Sequence, residues 1–342
     1  MKKLRILVLM HEDSVPPATL EGVPEEEVQK WKGEYDVMTA LGDLGHTVVR
    51  VGLCDDLGVL RKAIDEVEPH IAFNLLEEFQ GLSYFDQHVV SYLELMKVPY
   101  TGCNPRGLTI ARDKALTKKI LAYHRIAVPR FAVFPRGHMV RRPGKLPFPL
   151  FVKSLDEEAS QGVSQASLVQ DDESLRERVL LIHRTVHSDA IAEEYIEGRE
   201  LYVGMIGNER LVTFPPWELR IENLPEGAPR IATRKVKWDL KYQKKVGVHT
   251  GRAAGLPESV ERTIPALVKR IYRLLYLSGY ARLDLRLRED GRLFLLEANP
   301  NPYIARGEDF AGSAEAGGIG YGELVTRILR LGLGYRRQVC RQ

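Results

Sequence analysis

Residues 292–304 read RLFLLEANPNPYI. Strand-like sequence runs into Glu297, Ala298 and Asn299, and Pro300 and Pro302 then stop any regular structure. Upstream, 281–287 reads ARLDLRL. Leu283, Leu285 and Leu287 alternate there with Arg282, Asp284 and Arg286, the period of a half-buried strand. Between the two runs lies Arg288-Glu289-Asp290-Gly291, and Asp-Gly between strands is a strong hairpin signal. A two-residue turn pairs Glu289 with Arg292. Counting outward, Asp284 then faces Glu297 and Arg282 faces Asn299, with opposed Cβ atoms about 4.5–5.5 Å apart. Two carboxylates that close repel unless one is protonated or a cation lies between them. Oxygen ligands with a neighbouring amide suit Mg²⁺ or Mn²⁺ and not zinc. Asp284, Glu297 and Asn299 are thus a candidate metal site beside a cationic Arg282. The competing reading is an amphipathic hairpin with one wet face.

A chain of 342 residues suggests two or three domains with ample core. Its apolar and charged fractions, 44% and 28%, are those of a soluble globular protein. A formal charge of +3 without a long basic tail gives no ground for nucleic-acid binding. Cys54, Cys103 and Cys340 are odd in number and scattered, which argues against a disulfide framework and for a reducing, cytoplasmic setting. The opening apolar run is short and ends in His11-Glu12-Asp13, so it reads as a first buried strand and not a signal peptide. No run is long enough to span a bilayer, so no membrane partner is expected.

Strands are expected at 4–10, 47–51, 70–74 and 98–102, alternating with helices at 25–44, 56–67 and 86–96. Gly45 is placed to cap the first helix. This pattern implies a parallel, doubly wound first domain over 1–104. No G-x-G-x-x-G follows its first strand, so a dinucleotide site has no support. Beyond it a basic helix is expected at 112–124, a strand at 128–134, and a strand at 150–152 that delivers Lys153 to a loop at Ser160-Gln161-Gly162-Val163. A lysine at a strand end ahead of a small-residue loop is a phosphate-handling arrangement; the plain reading is a surface lysine beside a loop. In AIAEEYIEGRE, a strand closes at Ile191-Ala192. Glu193-Glu194-Tyr195-Ile196 then reads as a linker whose backbone could meet an adenine edge, and Glu200 could hold ribose hydroxyls. His183 and His187 stand four apart, but no third ligand accompanies them. The segments 260–277 and 321–331 show helical core spacing.

Taken in order, Asp113-Lys114, FVKS with its loop, EEYIEGRE, KVKW, ARLDL and LLEANPNP resemble the ATP-grasp superfamily, and within it the D-alanine–D-alanine ligase-like branch. The resemblance covers nearly the whole chain. It implies a pre-ATP-grasp domain over 1–104 followed by ATP-grasp subdomains over 105–195 and 196–342. It implies ATP and Mg²⁺ (or Mn²⁺), with Lys114 and Lys153 on the phosphates and a loop containing Ser160 and Gly162 closing over them. Glu193, Glu194, Tyr195, Ile196 and Leu296 would surround the adenine and Glu200 would hold the ribose. Lys237 would also reach phosphate, Arg282 would stabilise a phosphorylated intermediate, and Asp284, Glu297 and Asn299 would bind two metal ions. The implied chemistry joins a small carboxylate to an amine through an acyl phosphate. Rival readings are an ATP-grasp kinase or a ligase with a non-amine acceptor, and a non-catalytic nucleotide-binding module. A homodimer is compatible with the resemblance.

The departures lie at the acceptor half. After the first strand the chain reads HEDSVPPATLEG, without the Gly-Gly-x-Ser-x-Glu segment of D-alanine ligases. NLLEEFQG stands where those ligases have a His-Gly…Gly-Glu-Asp-Gly loop, Trp238 replaces a tyrosine, and no serine-led loop follows NPNP. Glu12, Glu77, Glu78 and Asn301 are therefore the candidate substrate residues, and an acid other than D-alanine is expected.

Overall fold

The computed structural model describes residues 2–17, 19, 22–156, 164–223, 236 and 239–335, which form three sheets. The first is parallel, in the order β2 (Thr47–Leu53), β1 (Arg5–His11), β3 (Ile71–Asn74). Ile6 to Met10 are all buried, which explains why β1 reads as a continuous apolar run and not as an alternation. The segment 98–102 adds only a single parallel bridge, Tyr100 to Ala72.

The helix expected from 25 to 44 is broken. It forms α1 (Glu25–Val28) and α2 (Lys32–Asp43). Between them the Lys30 and Trp31 N–H groups bond to the Glu27 and Val28 carbonyls at 3.0 and 3.1 Å, so tight three-residue turns interrupt the α-helical ladder. Helix α3 (Leu57–Val67) begins at Asp56, whose side chain accepts from the Gly58 N–H at 2.7 Å. Helix α4 is Asp86–Leu95. The helix expected at 112–124 is α6 (Lys114–Tyr123), and a helix the sequence reading did not place, α5 (Pro105–Arg112), comes directly before it. Asp113 leaves the helical region between them, and its side chain accepts from the Leu116 N–H at 2.8 Å to start α6.

The second sheet is antiparallel, in the order β4 (Phe131–Phe134), β7 (Ala190–Glu194), β5 (Leu150–Ser154), β6 (Leu168–Val169), with α7 (Asp172–Thr185) packed on it. Strand β7 runs through Glu193 and Glu194. Both were expected in a linker; they belong to the sheet because they pair with Phe151 and Leu150 of β5. The connection is only 195–198, and β8 (Arg199–Ile206) already contains Glu200.

In the third sheet β11 (Val248–Arg252), β10 (Trp217–Ile221), β8, β12 (Tyr280–Leu287) and β13 (Leu293–Pro300) follow one another, with β9 (Val212–Thr213) pairing β8. The β12–β13 register sets Asp284 opposite Glu297 and Arg282 opposite Asn299. It does so through two departures from a two-residue turn that offset each other. The Arg288 N–H bonds to the Arg292 carbonyl at 3.0 Å, so the loop has three residues and closes on Gly291 at φ +80°. Further along, Leu285 faces Leu295 while Asp284 faces Glu297, which makes Leu296 the extra residue of a β-bulge.

Leu283, Leu285 and Leu287 join Val260, Ile264, Val268 and Ile271 of the helix Glu258–Leu274 in one core. The helix Tyr321–Gly334 lays Leu324, Val325 and Ile328 against Ile6, Val8 and Met10, which fastens the end of the fold to its first sheet. Among the described residues no helix is long and apolar enough to cross a membrane.

That fastening depends on close approach. A Cβ on Gly332 would lie 2.4 Å from the Tyr100 carbonyl oxygen and 2.8 Å from Ile71 Cδ1. Gly332→Ala should therefore lower unfolding stability by about 1–3 kcal/mol in a denaturant titration. Gly334→Ala, whose Cβ meets nothing within 4 Å, should not.

Candidate active site

A cavity of about 660 Å³ is lined by residues of β5 and β7 on one side and β8, β12 and β13 on the other, and it extends to the carboxyl ends of β1 and β3. Lys114, Lys153, Glu193, Glu194, Tyr195, Ile196, Glu200, Arg282, Asp284, Leu296, Glu297 and Asn299 all line it. Ser160, Gly162 and Lys237 lie outside the described residues.

Helix α6 supplies two buried lysines one turn apart. Lys114 Nζ lies 3.2 Å from Glu297 Oε1 and donates to the Leu155 carbonyl at 3.3 Å. Lys118, which the sequence reading passed over, is 1% exposed. Its Nζ lies 3.0 Å from Glu193 Oε1 and donates to the Leu296 carbonyl at 2.6 Å. The available signal was its spacing of four from Lys114, which places both on one helix face. From β5, Lys153 Nζ approaches the same Glu193 oxygen at 3.3 Å.

One buried carboxylate thus serves two ammonium groups. Burial pushes Glu193 up, but Lys118 and Lys153 together hold it below the usual carboxylate range. Burial, with Lys153 adding, brings Lys118 down to about 8 against the pull of Glu193. Lys153 moves upward because Glu193 and Glu297 outweigh its own burial.

On β12, Arg282 forks onto its neighbour, with Nε 2.7 Å from Asp284 Oδ1 and Nη2 3.0 Å from Oδ2, and it lies over the Tyr202 ring at 4.7 Å. Burial opposes the charge on Arg282, but Asp284 more than offsets it. Asp284, Glu297 and Asn299 then present oxygen atoms on one face of the hairpin. The Asn299 amide nitrogen is buried with no hydrogen-bond partner, and a half-turn of that amide would present its oxygen to a cation instead. Two opposed carboxylates and this amide fit Mg²⁺ or Mn²⁺. Among the described residues no group of three His, Cys, Asp or Glu side chains is arranged to hold a metal, so the set rests on these two carboxylates and the amide. His183 Nε2 lies 2.9 Å from the Phe134 carbonyl and His187 stands beyond the end of α7.

Beside the 195–198 connection Glu200 accepts from Arg286 and from the Tyr202 hydroxyl, each at 2.8 Å. Glu194 pairs with Arg130 at 2.9 Å. At the opposite end His11, Glu77, Glu78 and Asn301 line the cavity, with His11 Nε2 3.7 Å from Glu78 Oε1. Glu12 does not line it. The residue lies in a 3₁₀ turn against Gly52 and accepts from the Cys54 thiol. Glu34 of α2, which the sequence reading also missed, lines the cavity beside Tyr303 and has no cationic partner among the described residues. Burial pushes its carboxyl up to about 7, with its own backbone N–H opposing and Glu77 adding. Nothing in the sequence distinguishes Glu34 from any acidic residue in the first turn of a helix.

The family model described as D-ala D-ala ligase C-terminus matches residues 120–330. The uncharacterised protein y4sG of Sinorhizobium fredii is 30% identical over 305 residues, covering 86% of this chain and 85% of its own length. A D-alanine–D-alanine ligase of Syntrophotalea carbinolica is 30% identical over 310 residues, covering 89% and 91%. Among solved structures, the Bacillus anthracis D-alanine–D-alanine ligase complexed with ATP superposes with a TM-score of 0.74 at 24% identity, over 96% of this chain and 97% of that one.

If Lys114 and Lys153 face phosphate, Lys→Met at either position should weaken ATP binding by at least about tenfold, the loss of one charge-assisted contact of roughly 1.5–3 kcal/mol. Lys119→Met, on the exposed side of α6, is the comparison. Equal ATP affinities across all three variants in calorimetry would remove the assignment.

Proposed function

The chain belongs to the D-alanine–D-alanine ligase family of ATP-grasp ligases, enzymes that form a C–N bond with ATP and Mg²⁺, and from that premise we propose that its own acid and amine are not a pair of D-alanines. We divide it into a pre-ATP-grasp domain over 1–104 and ATP-grasp subdomains over 105–195 and 196–342. The observation that carries the catalytic reading is the opposed Asp284–Glu297 pair, met in one cavity by Lys114, Lys153 and Arg282.

In the first step a substrate carboxylate oxygen attacks the γ-phosphorus of ATP and the bond to the β-phosphate oxygen breaks, giving an acyl phosphate and ADP. In the second an amine nitrogen attacks the acyl carbon, inorganic phosphate leaves, and the nitrogen loses its proton to yield the amide. The protein's part is charge neutralisation and in-line placement. Lys114 and Lys153 hold phosphate oxygens, and Arg282 faces the charge that develops on the transferred group. Asp284, Glu297 and Asn299 would hold Mg²⁺, which draws negative charge from the phosphates. The adenine would lie along 193–196 with the ribose at Glu200. An acyl phosphate hydrolyses readily, so the cavity must exclude water during transfer.

The substrate reading rests on the acceptor end. Glu34, Glu77 and Glu78 face the cavity there, along with His11 and Asn301, and the Tyr303 ring occupies part of it. Such a lining suits an amino acid or peptide whose ammonium group lies deep in the cleft.

Incubation with ATP, Mg²⁺ and a panel of amino acids and dipeptides should release ADP and phosphate together with an amide product. D-alanine alone should give little D-alanyl-D-alanine. Efficient dipeptide synthesis would overturn the substrate reading, and a phosphorylated product in place of an amide would overturn the ligase reading.

Glu34 also makes a pH prediction that needs no substrate. Its carboxyl titrates near 4.5 in the unfolded chain and near 7 when folded. The unfolded state therefore releases this proton first, and Glu34 costs the fold stability as pH rises between these values. Glu34→Gln should gain on the parent chain in thermal midpoint across that window and hold a constant lead above it. A difference independent of pH would show that Glu34 is ionised in the folded protein.

A further inference from the structure

Lys118 takes no part in the reaction described above, although it is among the most buried charged groups of the protein. Burying an ammonium is costly unless its protons are used. Here two of its contacts fall on opposite walls of the cleft: Glu193 at the end of β7, and the carbonyl of Leu296 in β13. Leu296 is the bulge residue, so the β12–β13 ladder is disturbed at that point and Lys118 supplies a donor to its carbonyl. The next residue is Glu297. One turn earlier on the same helix, Lys114 meets the Glu297 carboxylate itself.

We propose that Lys118 is a positioning residue: by holding the Leu296 carbonyl and the Glu193 carboxylate at once, it fixes where Glu297 presents its oxygens and keeps Lys153 from being bound wholly by Glu193. The inference rests on the reading that Asp284, Glu297 and Asn299 hold the metal. A neutral donor in its place could satisfy Leu296 but not Glu193. Glu193 would then have Lys153 as its remaining lysine, and the protons of Lys153 would be drawn to Glu193 and away from phosphate. Lys118 touches neither the transferred group nor the metal ligands, so its effect is indirect, through a backbone carbonyl and a shared carboxylate.

The test uses the whole chain, Mn²⁺ and a non-hydrolysable ATP analogue, with Mn²⁺ affinity read by electron paramagnetic resonance or calorimetry. Lys118→Met should weaken Mn²⁺ binding by roughly 10–100-fold, the usual cost of losing an outer-sphere partner. Lys118→Gln retains an N–H donor without the charge and should fall between Lys118→Met and the parent chain. Lys119→Met should bind as the parent does, and so should Leu121→Ala, which removes a buried side chain from the same helix without touching either wall's polar groups. If Lys118→Met does not fold, Lys118→Gln decides by the same measurement. Unchanged Mn²⁺ affinity in the folded Lys118 variant, or an equal loss in Leu121→Ala, would overturn the inference. Failure of the parent chain to bind Mn²⁺ with the nucleotide would overturn the metal reading itself, and the inference with it; this is told apart by being present before any substitution.

Discussion

Two carboxylates opposed across one pair of strands cannot both stay ionised unless positive charge stands beside them. Asp284 and Glu297 impose that condition, and the surrounding elements meet it from different parts of the chain. Arg282, two residues away on β12, forks onto Asp284. Lys114 arrives on α6 to meet Glu297. A third carboxylate, Glu193, is held by Lys118 of α6 and Lys153 of β5. Arg282 and Asp284 balance within β12, but Glu297 and Glu193 are met by lysines from other elements, so the charge set is complete only when two sheets and one helix are assembled. Of the cations that neutralise these carboxylates, Lys114, Lys153 and Arg282 also line the cavity.

The sequence displayed this site more clearly than the elements that build it. Alternation in ARLDLRL and the Asp-Gly turn placed Asp284 across from Glu297, and β13 does pair them. The two-residue turn assumed in that count is absent: a three-residue loop shifts the register by one and the Leu296 bulge shifts it back. The three-residue loop is an alternative reading of the same turn with Gly291 at its left-handed position, but the bulge has no signature in the strand sequence, and the displaced Leu296 carbonyl needs a bonding partner. Here that partner is Lys118, more than a hundred residues earlier.

Other errors share this character. Helix α5 went unread ahead of the helix expected at 112–124, because Asp113 both ends α5 and caps α6, a local choice that apolar periodicity does not register. Glu193 and Glu194 read as linker because they are charged, whereas β5 on one side and buried lysines beneath make a strand of them. Polar residues were misread wherever a partner distant in sequence made their burial tolerable.

The acidic end of the cavity shows the same dependence on distant partners. Ligands of open parallel sheets bind beyond the carboxyl ends of the strands; β1 ends at the cavity with His11, and Leu75, Glu77 and Glu78 line it just past β3. By sequence Glu12, the residue after His11, is expected to point the same way. Instead the His11 ring accepts from the Asp13 N–H at 3.2 Å and the chain turns into a 3₁₀ helix. That turn carries Glu12 to the far side, against Gly52. Beside Glu77 and Glu78, a further acid faces the cavity from α2, where Gly33 lets the Tyr303 ring press close: a Cβ there would lie 2.5 Å from Cε2. Glu34 is the next residue, so the contact that seats α2 against the NPNP segment also delivers its carboxylate. The acidic end of the cavity is thus set jointly by α2 and the segment that follows β13, and a change at Gly33 or Tyr303 reaches it through the placement of Glu34.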